Sequence, residues 1–286
     1  MNPHQRAFQQ VDVFTATPYR GNPVAVVLQG DGLDDTTMQG FARWTNLSET
    51  TFVLAPTDAG ADYWLRIFTP GGELQFAGHP TLGSCHAWLA AGHKPRDANM
   101  VVQQCGVGLV RIRRDDQRLA FGAPPLTRTD AKPSLLAAVA AALGLKAAQV
   151  KAAQLLDNGT IWLGLLLDSP DTVAALAPDF ARLAAAGHKV GVAAVYPGAD
   201  AQAHAVQLEV RGFAPHMGID EDPVTGSLNA SLAQWLTNDG HLPGRYQAAQ
   251  GANLQRAGRI AIDTDASGQV WVGGQSVSCI TGSVVI

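Results

Sequence analysis

A glutamate, a histidine and an aspartate stand where this chain could move a proton. Glu49 follows Leu47-Ser48 and precedes the apolar run Thr51-Phe52-Val53-Leu54. That context can desolvate a carboxylate and raise its pKa towards the range used for proton transfer near neutral pH. The competing reading is a solvated glutamate at a strand edge, the commoner fate of the residue type. His79 sits in Gly78-His79-Pro80-Thr81, directly ahead of a stretch from 81 to 91 without a single charged residue, which stops at Gly92. It can donate a hydrogen bond or a proton to a bound molecule, or simply cap a helix. Asp222 closes Asp220-Glu221-Asp222, ahead of a second uncharged stretch from 228 to 238. N-capping is the plain role for any of these three acids. Asp222 is the strongest candidate for more, because it is expected to hold the place in the second half that His79 holds in the first.

The two uncharged stretches must position these residues. A helix without a charged face is normally buried all round, so its N-terminus opens inside the protein. There the free backbone N–H groups and the helix dipole favour an anion. Gly78 lets backbone approach closely and Pro80 suits a first helical turn. Thr225-Gly226-Ser227 offers a similar entrance to the second helix, with N–H groups for a carboxylate.

Around these helices the chain reads mostly as short strands. Strands are expected at 11–14, 24–28, 51–54, 63–68, 100–103, 108–112 and 119–121. A helix capped by Asp34-Asp35 runs through Met38, Phe41, Ala42 and Trp44, and breaks at Asn46-Leu47-Ser48-Glu49. Pro124, Pro125 and Pro133 with the polar residues between them mark a boundary near mid-chain, giving halves of 1–125 and 126–286. A terminal β segment at 276–286 is free to complete the first half. The second half opens with a helix at 134–143. A strand at 161–167, an alanine-rich helix at 171–186 and strands at 190–196, 205–211, 259–262 and 270–272 follow. Regular βαβ alternation is absent, which weighs against a doubly wound parallel sheet. The fold class is α/β in its α+β form, a curled sheet around a central helix in each half.

Bulk properties narrow the partners. At 286 residues with a net charge of −4 and charges scattered along the chain, neither a nucleic acid nor an anionic membrane is favoured. A small-molecule ligand is. Cys85, Cys105 and Cys279 are the three cysteines; they form no CxxC pair and read as reduced thiols of a soluble, cytoplasmic protein. No run reaches membrane-spanning length. The chain also lacks GxxxxGK[ST], GxSxG and HExxH patterns, and Gly106-Val107-Gly108 has no third glycine of a dinucleotide fingerprint. His216 with Asp220 has no third ligand at metal spacing, so no metal site is expected.

Taken together, several pieces resemble the PhzF-like isomerase family. They are Val11-Asp12-Val13-Phe14-Thr15, Gly21-Asn22-Pro23-Val24-Ala25-Val26-Val27-Leu28, Asn46-Leu47-Ser48-Glu49-Thr50, Gly78-His79-Pro80-Thr81-Leu82-Gly83, Glu221-Asp222-Pro223-Val224-Thr225-Gly226-Ser227 and Gln250-Gly251. The resemblance implies the diaminopimelate-epimerase fold: two pseudo-symmetric halves, each a mostly antiparallel curled sheet around its helix, with the active site in the cleft between. It implies a homodimer that works without metal or organic cofactor. In the phenazine-pathway members a glutamate moves a proton between carbons of trans-2,3-dihydro-3-hydroxyanthranilate. Carried over, Glu49 is general base and then acid, assisted by His79 and Asp222, with Gly78, Gly226 and Ser227 contacting substrate. The epimerase relatives use one cysteine from each half, at positions matching Ala77 and Pro223 here, so a two-thiol racemisation is not expected. An amino-acid racemase using Glu49 with another base, and a non-catalytic binder on the same scaffold, remain the alternatives.

Overall fold

The computed structural model describes residues 4–115 and 118–286. It divides into two compact units, one made of Met1–Gly122 with Gly273–Ile286 and the other of Ala123–Val272.

The first unit contains β1 (Gln5–Val13), β2 (Asn22–Val27), α1 (Asp35–Thr45), β3 (Thr50–Leu54), β4 (Tyr63–Phe68), β5 (Glu73–Leu74), α2 (Gly78–Ala90), β6 (Met100–Cys105), β7 (Gly108–Asp115) and β8 (Arg118–Gly122). The second contains β9 (Thr127–Thr129), α3 (Pro133–Leu143), β10 (Val150–Asp157), β11 (Ile161–Leu167), α4 (Pro170–Ala175), α5 (Phe180–Ala186), β12 (Lys189–Val195) and α6 (Gly198–His204). It continues through β13 (Leu208–Ala214), β14 (Ile219–Asp222), α7 (Gly226–Asn238), β15 (Arg245–Gln250), β16 (Gly258–Thr264) and the start of β17 (Val270–Gly274). The C-terminal strand β18 (Ser276–Val285) returns to the first unit and runs antiparallel to β1.

The pairing pattern repeats. In the first unit β1 is antiparallel to β2, β2 parallel to β3 across α1, β3 antiparallel to β4, and β4 parallel to β6 across α2. In the second, β10 is antiparallel to β11, β11 parallel to β12 across α4 and α5, β12 antiparallel to β13, and β13 parallel to β15 across α7. Each apolar helix is thus the crossover between two parallel strands, and a short antiparallel strand, β5 or β14, precedes it.

Side-chain alternation along a strand puts successive residues on opposite faces, and both faces are covered. On one face of the first sheet, Val27 and Phe52 pack with Met38 and Ala42 of α1. On the other, Gly83 of α2 lies so close to Val24 and Val13 that a Cβ there would stand 2.4 Å from Val24 Cγ1. The second sheet matches: Val190 and Val192 pack with residues of α3, α4 and α5, while Gly191 between them leaves room for Leu228 of α7. This two-sided burial explains why strands such as Val24-Ala25-Val26-Val27 are continuously apolar.

The expected 171–186 helix is two helices. Pro178 interrupts it, and Asp179 caps α5 by accepting from the Arg182 N–H, a proline and a cap acting together as stop and restart. The expected strand at 205–211 starts at Leu208, because α6 precedes it and ends on a left-handed Ala205. Strands β5, β9, β10, β14 and β15 lay outside the sequence reading. β10, with Lys151, Ala152, Ala153 and Gln154 in succession, has the composition of a helix and is held extended by pairing to β9 and β11. Among the described residues no helix is long and apolar enough to cross a membrane.

Candidate functional site

Asn46 ends α1 in the left-handed conformation, with φ 55, one that asparagine tolerates better than most residues. The turn delivers Leu47-Ser48-Glu49 to the head of β3, and the Glu49 carbonyl accepts from the Ala25 N–H. The Glu49 side chain, 13% exposed, places Oε2 3.3 Å from His79 Nε2, whose ring is 6% exposed. Carboxylate and imidazole are therefore in contact and largely withdrawn from water.

His79 is held by α2. The helix begins at Gly78, so His79 lies within its first turn and not ahead of it. N-cap Ala77 provides no side-chain cap, and the first turn carries no acidic residue. Every residue from Gly78 to Cys85 is buried, and its polar side chains are matched. Gln103 Nε2 donates to Thr81 Oγ1, and Gln103 Oε1 accepts from the Tyr63 hydroxyl. Thr51 Oγ1 donates to the Ala25 carbonyl, so Ser84, 2.8 Å away, donates to Thr51. On the far side of the imidazole, Asn22 Nδ2 lies 3.4 Å from His79 Nδ1. Asn22 is 1% exposed and was not singled out from sequence. The available signal was a polar residue between Gly21 and Pro23 at the head of a fully apolar strand.

In the second unit Asp222 ends β14. Asp222 thus closes a strand, whereas His79 lies in the first turn of a helix. Thr225 Oγ1 donates to Asp222 Oδ2 at 2.6 Å. Gln250, 1% exposed, ties the turn together with its whole carboxamide. Its Oε1 accepts from the Thr225 N–H and from Asn229 Nδ2, and its Nε2 donates to the Asp222 carbonyl and to Thr225 Oγ1. With Gln250 donating to the Thr225 oxygen, the hydroxyl proton is left pointing at the Asp222 carboxylate. Gly251, at φ +98, passes so close that a Cβ would meet the Pro223 carbonyl at 2.5 Å. The sequence around Gln250-Gly251 carries no sign of this work, because nothing local shows that β15 reaches this turn.

Gly226 opens α7 and is buried. Ser227 Oγ accepts from Trp162 Nε1, and the Ser227 carbonyl accepts from Asn158 Nδ2. Glu221 is structural: Arg211 grips it through two hydrogen bonds of 2.9 and 2.8 Å, both side chains 5% exposed. The same guanidinium donates to the carbonyls of Val173 and Leu176 at the end of α4. His216, weighed as a metal ligand, is held below its ordinary pKa by burial, with Lys189 and His188 adding to the effect. Among the described residues no three of His, Cys, Asp and Glu gather as a metal site.

Cys85 and Cys105 are poor acid–base groups. Burial pushes the Cys85 thiol up to about 12 and raises Cys105 too, which leaves little thiolate near neutral pH.

Comparison with known proteins gives four findings. The family model described as phenazine biosynthesis-like protein matches residues 11–282. Antisense-enhancing sequence 1 of Schizosaccharomyces pombe is 35% identical, covering 99% of both chains. A trans-2,3-dihydro-3-hydroxyanthranilate isomerase of Pseudomonas aeruginosa is 34% identical over 91% of this chain and 90% of its own. Among solved structures, a PhzF-family phenazine biosynthesis protein of Bacillus anthracis superposes with a TM-score of 0.85 over 99% of this chain and 100% of that one, at 21% identity.

Proposed function

The chain belongs to the phenazine biosynthesis-like family, and from that premise we propose that it is an isomerase moving a proton between carbons of a small amino- or carboxylate-bearing substrate. Glu49 is the proton carrier. The observation that supports this most is its carboxylate 3.3 Å from His79 Nε2, both groups largely buried at the N-terminus of an apolar helix.

Glu49 as carboxylate takes a proton from one carbon of the substrate. The C–H electron pair moves into the adjoining π system, the double bond shifts, and protonated Glu49 returns the proton to a second carbon on the same face. One C–H bond breaks and one forms, with no net oxidation. A single carboxylate suits this reaction better than inversion, which needs groups on two faces. By the family resemblance, Ala77 and Pro223 stand where the epimerase relatives carry cysteine, and neither supplies a thiol. Backbone N–H groups at the first turn of α2 suit a carboxylate of the substrate, and in the second unit those at the first turn of α7, with Ser227, offer the same chemistry. Asp222, held as an acceptor by Thr225, suits an ammonium or amino group. The related isomerases make trans-2,3-dihydro-3-hydroxyanthranilate the first substrate to assay.

Glu49→Gln is expected to lower turnover of that substrate by roughly 10²–10⁴-fold, the usual contribution of a positioned acid–base group, while its melting temperature stays near wild type. Full turnover by a folded Glu49→Gln protein would remove Glu49 from the mechanism. Running the reaction in deuterated water tests the class: isomerisation labels the carbon that receives the proton, whereas a racemase labels the stereocentre of a recovered amino acid.

A further inference from the structure

Asn22 is held more firmly than a strand-opening residue needs to be. The Gly21 N–H donates to the buried Asp12 carboxylate. A Cβ on Gly21 would stand 2.3 Å from the Val13 carbonyl oxygen, so the backbone here is pressed onto β1. Pro23 follows with a fixed φ. The result is a carboxamide fixed beside the ring of His79, with Nδ2 facing Nδ1 at 3.4 Å.

A carboxamide nitrogen carries two protons and accepts nothing. The imidazole nitrogen facing it must therefore be the unprotonated one, and the ring proton lies on Nε2, 3.3 Å from Glu49 Oε2. An imidazolium would turn a second N–H against the Asn22 N–H, a donor facing a donor. We infer that Asn22 is a positioning residue that holds His79 as the neutral Nε2–H tautomer and so keeps the protonated nitrogen on the side of Glu49. This rests on the reading of Glu49 as proton carrier, and it narrows the part left to His79. In this tautomer the nitrogen that faces the Glu49 carboxylate at 3.3 Å is the one that carries the ring proton, so His79 presents a positive edge to that carboxylate and does not take up a proton itself. Asn22 touches the histidine and acts through it.

Long-range ¹H–¹⁵N correlation on the full chain labelled with ¹⁵N-histidine reads the tautomer directly, with the His79 signals identified by their loss in His79→Asn. The expected spectrum shows a protonated, pyrrole-like Nε2 and a bare, pyridine-like Nδ1. Wild-type protein with the proton on Nδ1 would mean that the Asn22 carboxamide faces the other way, and would overturn the assignment without any variant. Asn22→Asp presents only acceptors, so His79 should move to the Nδ1–H or doubly protonated form. An unchanged tautomer in that variant also overturns the inference. On trans-2,3-dihydro-3-hydroxyanthranilate, Asn22→Ala should lose about tenfold or more in kcat with KM nearly unchanged, the pattern of a lost orienting partner. The two readings fail separately. Full activity in Glu49→Gln would sink the proton carrier and leave the tautomer standing, whereas a wrong tautomer sinks Asn22 whatever Glu49→Gln does.

Discussion

Asp265 is in the turn between β16 and β17 and collects donors from every side. Its Oδ1 accepts from the Ser267 hydroxyl and from the N–H groups of Ser267 and Gln269, and its Oδ2 accepts from Trp271 Nε1. The Ser267 and Trp271 side chains do most to hold its pKa down to about 2, from an ordinary 3.8. A carboxylate depressed in the folded state adds stability above its unfolded pKa, and that stability is lost as pH falls through the folded value. Asp265→Asn should therefore melt below wild type at pH 7, with the gap narrowing between about pH 4 and pH 2 and closing below it. A gap that stays constant over that window, followed by calorimetry, would show that the carboxylate charge is not what the turn uses. Residues of this kind differ in how far sequence exposes them. Glu49 and His79 are legible as candidates because each stands beside an abrupt change, a broken helix or an uncharged run. Asn22 and Gln250 are not, since their partners are 57 and 25 residues away and a buried amide has no sequence signature until its neighbours are known.

Glycines show how the elements override local preference. Alanine is the better helix former by about 1 kcal/mol, and α1 and α2 each carry an interior glycine. Gly40 of α1 has nothing within 4 Å of a Cβ, whereas one on Gly83 of α2 would stand 2.4 Å from Val24 Cγ1 and 2.9 Å from Val13 Cγ2, both of them fully buried valines. Gly40→Ala should stabilise by roughly 0.5–1 kcal/mol, and Gly83→Ala should destabilise by about 1–3 kcal/mol from overpacking, despite the same gain in propensity. Denaturant unfolding of both variants decides it, and equal shifts of the same sign would mean that α2 does not sit as tightly on β1 and β2 as the distances say. The uncharged face of α2 was readable as burial. That the helix would press its backbone onto the sheet at Gly83 was not, because an interior glycine reads from sequence only as a weak spot. The same limit hid the break between α4 and α5: alanine-rich sequence favours helix throughout, and Pro178 with Asp179 overrules it.

Across the whole chain, the order of pairings repeats, strand for strand, from β1–β6 to β10–β15. The repetition was visible in outline as two uncharged helices with alike entrances, although β10 and β15 carried too little β character to complete it. The C-terminal strand breaks the simple division. β18 lies along the full length of β1, from Gln5 opposite Val285 to Val13 opposite Ser276. Ser278 donates to Gln9 and lies 3.1 Å from His86 Nε2, tying the strand to α2. The first unit thus depends on residues made last. Removing 276–286 leaves the β1 backbone unpaired on that side and uncovers Gln9 and His86, while the elements from β10 to β16 lose no strand partner. Hydrogen exchange on the truncated chain should show β1, β2 and α2 exchanging faster by about 100-fold or more, with β11, β12 and α7 near wild-type protection, because stability is distributed in local cooperative units. If protection fell equally in both units, the chain would unfold as one cooperative body, and the last strand would support the whole protein instead of the unit it joins.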